Sequence, residues 1–296
     1  MTSPMAGRML AACLLAGAAS CGPDASRVQS QSKPHDAPDV PVIVKSWNDR
    51  AESIEQLYGR GIFQANWVDE SGGRHVDQGD IDFWYERPSN VAVRCSKFGD
   101  TISLFGSNGT AQWFYDAGSE VLYVGTLDPD QYLLIASQPF SAHLLLNVLG
   151  LRAMPDASKH ATRWCEVDKC FVVDCADGSK MWLQSGTVWP TRRALLLPDA
   201  SEMRIDEDSN RRLTVRLPNQ PIVQWPILPG SITMTMNHPE REEISSLLVF
   251  DTFTGEVEDE PMDRVFDLDH LKQALQPVEV RSLNDLGSSS QSGSQE

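Results

Sequence analysis

The sequence lacks three features that would point to a common functional class. It has no unbroken apolar run of about 20 residues, the length that a membrane-spanning helix needs. It has neither the Gly-x-Ser-x-Gly elbow of many esterases nor the His-Glu-x-x-His pair of zinc proteases. Basic side chains are few, since 25 Lys and Arg face 41 Asp and Glu, which gives a net charge of -16. Such a surface repels phosphate backbones, so nucleic acid is disfavoured as a partner.

The N-terminus has the pattern of an exported protein. A short apolar segment, residues 9–20, ends in small side chains beside Cys21. This ending resembles a bacterial lipobox, in which the cysteine becomes the lipidated first residue of the mature protein. We therefore predict a signal peptide at 1–20 and a disordered tether at 21–39, which begins with a fatty-acid anchor (palmitate, for example) on Cys21. Ala18 replaces the usual lipobox Leu, and a signal peptide cleaved without lipidation is the alternative.

The first half of the folded region reads as antiparallel strands. Over Gly61–Gly125, apolar and polar residues alternate in six short segments, separated by turn residues such as Asn108-Gly109. This period of two predicts a six-stranded meander with one buried face. A helix is predicted before it over Val42–Tyr58, with Trp47 against the sheet. The residues at helical spacing are Val44, Trp47, Ala51, Ile54 and Leu57.

Two further helices are predicted downstream. Tyr132–Leu151 is rich in helix formers, with Pro139 as a start signal and a broad apolar stripe that must be covered. Leu268–Leu275 is predicted as a last, short helix, capped by the side chain of Asp267.

Strands resume between these two helices, in one folded domain that we expect to span 40–282. A disordered Ser/Gln-rich tail is predicted at 283–296. The Asp177-Gly178 pair predicts a hairpin turn. The predicted strands are 163–166, 170–175, 180–184, 191–197, 203–205, 213–217, 222–225, 232–236 and 246–253.

Several of these motifs resemble one known family. After the first helix and strand come the run Gly79–Val93, with a Pro before its second apolar stretch, and then Gly106–Gly109 before Trp113–Tyr115. This arrangement resembles the LolA-like family of outer-membrane lipoprotein-sorting proteins, over Val42–Phe253. The resemblance implies a mainly β (α+β) fold. In it, a strongly curved antiparallel sheet forms an unclosed barrel, and helices pack on its concave face above an apolar cavity.

The resemblance also implies a function. Members of the family hold acyl chains of lipoproteins or other lipids, so a binding protein is expected rather than an enzyme, with no metal or redox cofactor. Cys21 would fix this chain to the outer membrane, facing the periplasm, which favours a receptor or tethered module over a free carrier. The first alternative is a structural or regulatory envelope lipoprotein that contacts a protein partner. An exported hydrolase ranks last.

The lining of such a cavity follows from the strand alternation. If the register is right, the apolar side chains of the meander point to one face, opposite the helix at 132–151. A cavity differs from a core only in the empty space between sheet and helix, and the sequence does not show the volume of that space. The predicted lining residues are Phe63, Trp67, Phe83, Tyr85, Val93, Leu104, Trp113, Tyr115, Phe140, Leu144 and Val148.

Four cysteines follow the tether, and an oxidising compartment favours disulfides between them. Cys165 and Cys170 could face each other across a hairpin, which would leave Cys95 to pair with Cys175. Free thiols are one alternative. A zinc site that includes His160 is another, although a spacing of five residues between ligands is wrong for a zinc knuckle.

Overall fold

The computed structural model describes most of the chain beyond its N-terminal segment. The predicted signal peptide, the anchor at Cys21 and most of the tether lie outside the described residues, as does the predicted tail from Asn284 onward. The described residues are 37–68, 72–126, 133–135, 138–140, 142–156, 159–184, 186–197, 201–218, 220–237, 244–256 and 262–283.

The predicted meander is confirmed. Its six strands lie side by side in chain order, each antiparallel to the next. They are β1 (Gln56–Val68), β2 (Arg74–Glu86), β3 (Asn90–Lys97), β4 (Asp100–Asn108), β5 (Ala111–Asp116) and β6 (Val121–Thr126).

The remaining strands extend the same sheet or form two small hairpins. The hairpins pair β7 (Leu133–Ile135) with β8 (Gln138–Phe140) and β14 (Arg212–Thr214) with β15 (Ile227–Pro229). The sheet strands are β9 (Ala161–Cys165), β10 (Cys170–Asp174), β11 (Lys180–Leu183), β12 (Pro190–Leu196), β13 (Glu202–Glu207), β16 (Ser231–Asn237), β17 (Ile244–Thr254) and β18 (Glu279–Ser282).

Fourteen of the described strands make one curved sheet that does not close into a barrel. Its order is β18-β6-β5-β4-β3-β2-β1-β17-β16-β13-β12-β11-β10-β9, so β18 and β9 lie at its two edges. All described neighbours are antiparallel except β18 and β6, which run parallel. The mainly β fold that the sequence predicts is confirmed.

Within the described residues, four α-helices accompany the sheet: α1 (Val40–Ser53), α2 (Ala142–Leu149), α3 (Met262–Val265) and α4 (Leu268–Leu275). The prediction for α4 is confirmed in its bounds and in its cap. Asp267 accepts hydrogen bonds from the backbone N–H groups of Asp269 and His270. This local cap satisfies two of the free N–H groups at the helix start.

Three predicted elements are wrong in detail. The first helix ends at Ser53, because Leu57 belongs to β1, where it lies opposite Tyr85 and is fully buried. The second helix begins at Ala142, since Pro139 lies in β8. In place of the predicted strand at 222–225 there is a 3-10 turn, Ile222–Gln224, which follows a proline and exposes its side chains.

Strand register assigns each side chain to one face of the sheet. Residues directly opposite each other in paired strands share a face. Phe83 lies opposite Val93, Val93 opposite Phe105, and Phe105 opposite Phe114. These four residues share an apolar cluster with α2, so we call this concave side the inner face and the opposite side the outer face.

Candidate functional site

The predicted cavity residues divide between the two faces. Phe63, Phe83, Tyr85, Val93, Leu144 and Val148 belong to the inner face or pack against it. Leu104, Trp113 and Tyr115 lie on the outer face, against Leu122 and against Leu271 of α4. Trp67 and Phe140 lie in β1 and β8, but their side chains are outside the described residues.

The prediction of one shared face is therefore wrong for Leu104, Trp113 and Tyr115. Strands β4 and β5 are apolar on both sides, because α4 covers the outer face where α2 covers the inner one. Alternation cannot fix the register of a strand that is buried on both faces. The inner-face residues of these two strands are Phe105 and Phe114.

Helix α2 lies over the inner-face cluster. It buries Leu145, Leu146, Val148 and Leu149 against this cluster. Several of its aromatic rings pack on one another: the ring centroids of Phe83 and Phe250 are 6.4 Å apart, and those of Phe250 and Phe253 are 4.6 Å apart. The described part of the cluster is therefore packed as a core around α2.

Beyond the end of α2, the inner face carries a buried ion pair. Arg193 of β12 is 3% exposed, and its Nε donates a hydrogen bond of 2.9 Å to Oε1 of Glu207. Its Nη2 lies 2.7 Å from the same oxygen. The two Nη atoms also donate to the carbonyl oxygens of Asn147 and Val148 in α2. Arg193 thus binds both a carboxylate and the negative end of the helix dipole.

A second buried arginine lies beside the first. Arg50 of α1 is 6% exposed, and its Cζ lies 4.3 Å from the ring centroid of Trp47 and 4.4 Å from that of Trp189. Its Nε and Nη2 have no hydrogen-bond partner among the residues that the structure describes. Burial lowers the pKa of Arg50 to about 9, partly offset by Glu207, so the guanidinium stays charged at neutral pH.

Gly150 allows Arg50 to lie against the end of α2. Its φ of +70° is in the left-handed region, which suits glycine directly after a helix. A Cβ at this position would lie 2.2 Å from Nη2 of Arg50, so a larger residue would collide with the guanidinium. We call Trp47, Arg50, Trp189, Arg193 and Glu207 the arginine–tryptophan cluster.

The arginine–tryptophan cluster adjoins a small pocket. The pocket has a volume of about 70 Å³, and it shares Trp47 and Arg193 with the cluster. Asn147, Arg152 and Lys180 are among its other lining residues. Pockets for drug-sized ligands measure about 300–1,000 Å³, so this one admits a small polar group and not a long chain.

Sequence reasoning missed the arginine–tryptophan cluster, although the sequence holds one signal of it. Arg50 follows Trp47 by three residues and precedes Ala51, so it lies within the apolar stripe of an amphipathic helix. A charge in such a stripe is buried when the helix packs. No comparable signal marks Arg193, which follows the half-exposed Arg192 on the same strand.

The four cysteines that the structure describes, Cys95, Cys165, Cys170 and Cys175, are free thiols. Cys165 and Cys170 lie directly opposite each other on β9 and β10, as the hairpin prediction requires, and their disulfide stays a prediction. Cys95 and Cys175 are not brought together, because they belong to different apolar clusters and seven strands separate β3 from β10. Burial raises the pKa of Cys95 to about 12, so this thiol is unreactive at neutral pH.

Two other predicted features can be checked against the described residues. Within them, no group of three His, Cys, Asp or Glu side chains is arranged to hold a metal ion, and His160 contacts the carbonyl oxygen of Pro155. Of the described helices, none is long and apolar enough to cross a membrane.

Comparison with known proteins reveals relatives in structure alone. No protein-family model and no curated protein matches the chain. Among solved structures, the chain is similar to a DUF1329 family protein from Desulfovibrio piger, with 9% identity and a TM-score of 0.50. That match covers 79% of this chain and 100% of the other.

A LolA superfamily protein from Nitrosomonas europaea is also similar, with 12% identity and a TM-score of 0.44. The match covers 79% of this chain and 100% of that protein. At such identities, likeness concerns the fold alone. The fold that the sequence predicts, a mainly β chain with a curved sheet that does not close into a barrel, is confirmed.

Proposed function

We propose that this chain is a lipid-anchored binding protein of the bacterial cell envelope. In this proposal, it holds an acyl chain, from a lipid or a lipoprotein, between the inner face of the sheet and helix α2. The observation that carries the proposal is the attachment of α2, whose apolar side covers the sheet while its last carbonyl groups bind Arg193.

This attachment suits a cover that can be displaced. A helix of eight residues is too short to be stable by itself, so α2 depends on its contacts with the sheet. If α2 moves away, Arg193 keeps its ion pair with Glu207, so neither of these two charges is left unpaired. The apolar inner face would then be exposed to water unless another apolar group covered it, and an acyl chain meets that requirement.

The predicted lipobox supports placement at a membrane. A fatty acid on Cys21 and a polar tether of some 18 residues would hold the domain near the surface of the outer membrane, on its periplasmic side. Replacing Cys21 with Ser should abolish labelling by a fatty-acid analogue and release the protein from membranes. Unchanged membrane retention in Cys21→Ser would contradict the anchor.

A second candidate function has one observation in its favour. Phe98, at the tip of the β3–β4 hairpin, is 95% exposed and has a φ of +54°, a conformation that is costly for a bulky residue. Such a residue suits contact with a protein partner. This reading describes a structural or regulatory envelope lipoprotein, in which the inner face remains a closed core.

Binding of oleyl alcohol, a neutral long-chain lipid, tests the proposal directly. Gel filtration with radiolabelled oleyl alcohol should show saturable binding to the purified protein. Leu145→Gln in α2 should weaken binding at least fivefold, because the glutamine amide cannot pair within an apolar face. Leu271→Gln in α4 is the matched control, since this leucine is equally buried on the outer face, and it should leave the affinity unchanged.

Two results would contradict the proposal. One is the absence of saturable binding by the wild-type protein, which would favour the structural lipoprotein. The other is an equal loss of binding in both variants, which would place the lipid elsewhere or reflect a general loss of folding. Circular dichroism of both variants separates these last two outcomes.

A further inference from the structure

We infer that the arginine–tryptophan cluster binds an oxyanion, the carboxylate or phosphate end of an amphiphile, with Arg50 as its main contact. The part of this inference that concerns an amphiphile rests on the proposed function. The oxyanion site itself rests on the geometry of the cluster and can be tested separately.

Arg50 offers the edge that an oxyanion needs. Its free donors, Nε and Nη2, lie side by side on one edge of the planar guanidinium, where two parallel hydrogen bonds can reach one carboxylate or phosphate. A buried charged donor without a partner is costly, and folded proteins rarely leave one unpaired. A ligand that accepts from both nitrogens would remove this cost.

The neighbouring Arg193 binds a carboxylate through the same edge of its guanidinium, the edge that carries Nε and Nη2. Nε and Nη2 of Arg193 both contact Oε1 of Glu207, at 2.9 and 2.7 Å. The inner face therefore already binds one carboxylate through this edge of a guanidinium. Arg50 presents the equivalent pair of nitrogens, and Glu207 is engaged by its neighbour.

The electrostatic balance of the cluster also favours an anion. Arg50 and Arg193 are opposed by a single carboxylate within the cluster, and Arg212 stacks at 5.8 Å on the ring of Trp189. The surrounding protein has a net charge of -16, so this cationic excess is a local exception. Arg50 is 6% exposed and its Cζ lies 4.3 and 4.4 Å from the ring centroids of Trp47 and Trp189, and this exclusion of water strengthens its attraction for a negative charge.

The pocket beside the cluster gives the site its size and its limit. It is lined by Trp47 and Arg193 but not by Arg50, whose Nη2 lies against Gly150 at the end of α2, so an oxyanion in the pocket reaches Arg50 when the end of α2 moves. A volume of about 70 Å³ is close to that of two water molecules, at roughly 30 Å³ each in the liquid. It suits a carboxylate or a phosphate. Arg152 and Lys180 add positive charge to the lining, and Asp177 adds one negative charge.

Helix α2 joins this site to the apolar inner face. Asn147 lines the pocket, while Leu145 and Val148 pack against the apolar cluster. A ligand lying along α2 would therefore place its chain on the cluster and its charged end beside Arg50. The expected ligand is an anionic amphiphile such as a fatty acid or a lipid phosphate, rather than a neutral hydrocarbon.

The test compares oleate, oleyl alcohol and inorganic phosphate as probes on the full-length protein. Oleate should bind the wild-type protein at least about 10-fold more tightly than oleyl alcohol, as expected for hydrogen bonds to a charged group. In Arg50→Met this preference should fall below about twofold, with the affinity for oleyl alcohol unchanged. Arg192→Met is the matched control, because Arg192 stacks on Trp182 on the outer face and its carboxylate partners are about one-third exposed, and it should keep the preference.

Arg50→Lys serves if Arg50→Met does not fold, because lysine keeps the charge but lacks the planar edge. Its preference for oleate should lie well below that of the wild type. Equal binding of oleate and oleyl alcohol by the wild type would overturn the oxyanion site and leave the proposed function standing. If neither lipid binds, the proposed function fails, and the effect of inorganic phosphate on the melting temperature then tests the oxyanion site. A rise in melting temperature with phosphate, absent in Arg50→Met, would support a site for a free oxyanion, and no rise would overturn it.

Discussion

Helices α2 and α4 cover opposite faces of one sheet with leucines of nearly equal burial, since Leu145 is 7% and Leu271 6% exposed. Their ends are held differently. Asp267 caps α4 from within its own segment, whereas the last carbonyl groups of α2 depend on Arg193 of the sheet. Both ends of α4 are therefore satisfied within its own segment, since the backbone N–H of Gln276 also donates to the carbonyl oxygen of Lys272. Helix α2, which covers the inner face, is attached through the buried Arg193. When the helix moves away, Arg193 keeps Glu207 as its partner.

The two faces also differ in their polar content. The described outer-face cluster around α4 is made of apolar and aromatic side chains. The inner face combines an apolar cluster beneath α2 with two buried arginines directly beyond its end. An apolar region beside a cationic one matches the two ends of an amphiphile. On the outer face the buried charge is instead a carboxylate, Asp82, whose partner Arg94 is 41% exposed, so no buried cationic region lies beside that apolar cluster among the described residues.

The largest expected effect is the loss of the inner attachment. Arg193→Met should lower the free energy of unfolding by about 3–5 kcal/mol, because Glu207 is left buried and unpaired. Urea unfolding followed by tryptophan fluorescence would measure it. The double variant Arg193→Met, Glu207→Met removes both charges and should recover most of the loss. A single-variant loss below about 1 kcal/mol would show that the ion pair is not desolvated as the structure indicates.

An intermediate effect is expected at the end of α2. Gly150→Ala should cost about 2–4 kcal/mol, because alanine meets both the unfavourable φ and a clash with Arg50. Gly186→Ala is the control: its φ is +77°, and no atom lies within 4 Å of the added Cβ. The difference between the two unfolding free energies measures the clash. Equal losses in the two variants would show that Arg50 does not lie against Gly150.

The smallest expected effect concerns the outer helix. Asp267→Ala should lower the free energy of unfolding by about 1 kcal/mol, the usual cost of a lost helix cap. It should leave the binding of oleyl alcohol unchanged, since α4 covers the face that does not take part. Thermal unfolding and the binding assay measure the two quantities. Weaker lipid binding in this variant would break the proposed separation between the two faces.

Some elements could be predicted because local chemistry decides them. The Asp267 cap and the apolar spacing of α4 lie within one short segment, and the meander follows from alternation between clear turn residues. The sequence predicts the wrong element for Leu57, because this residue fits the helical spacing after Trp47 as well as the strand period. Pairing with β2, a contact between distant segments, decides in favour of the strand.

The site was harder to predict than the fold for a similar reason. Leu104 and Phe105 are adjacent and both apolar, and the packing of α2 and α4 on opposite faces decides which one points inward. The arginine–tryptophan cluster joins residues from α1, β12, β13 and the segment before β12, so no short motif contains it. Only the fold brings Arg50 and Arg193 together.

Photocrosslinking tests the central claim, that an acyl chain lies between the inner face and α2. A long-chain alcohol with a diazirine near the end of its chain would be bound, irradiated and mapped by peptide mass spectrometry. We predict crosslinks in 142–149 and at inner-face residues such as Phe105 and Phe114, reduced by excess oleyl alcohol, and none in 268–275. Crosslinks concentrated in 268–275, or at outer-face residues such as Trp113, would contradict the account.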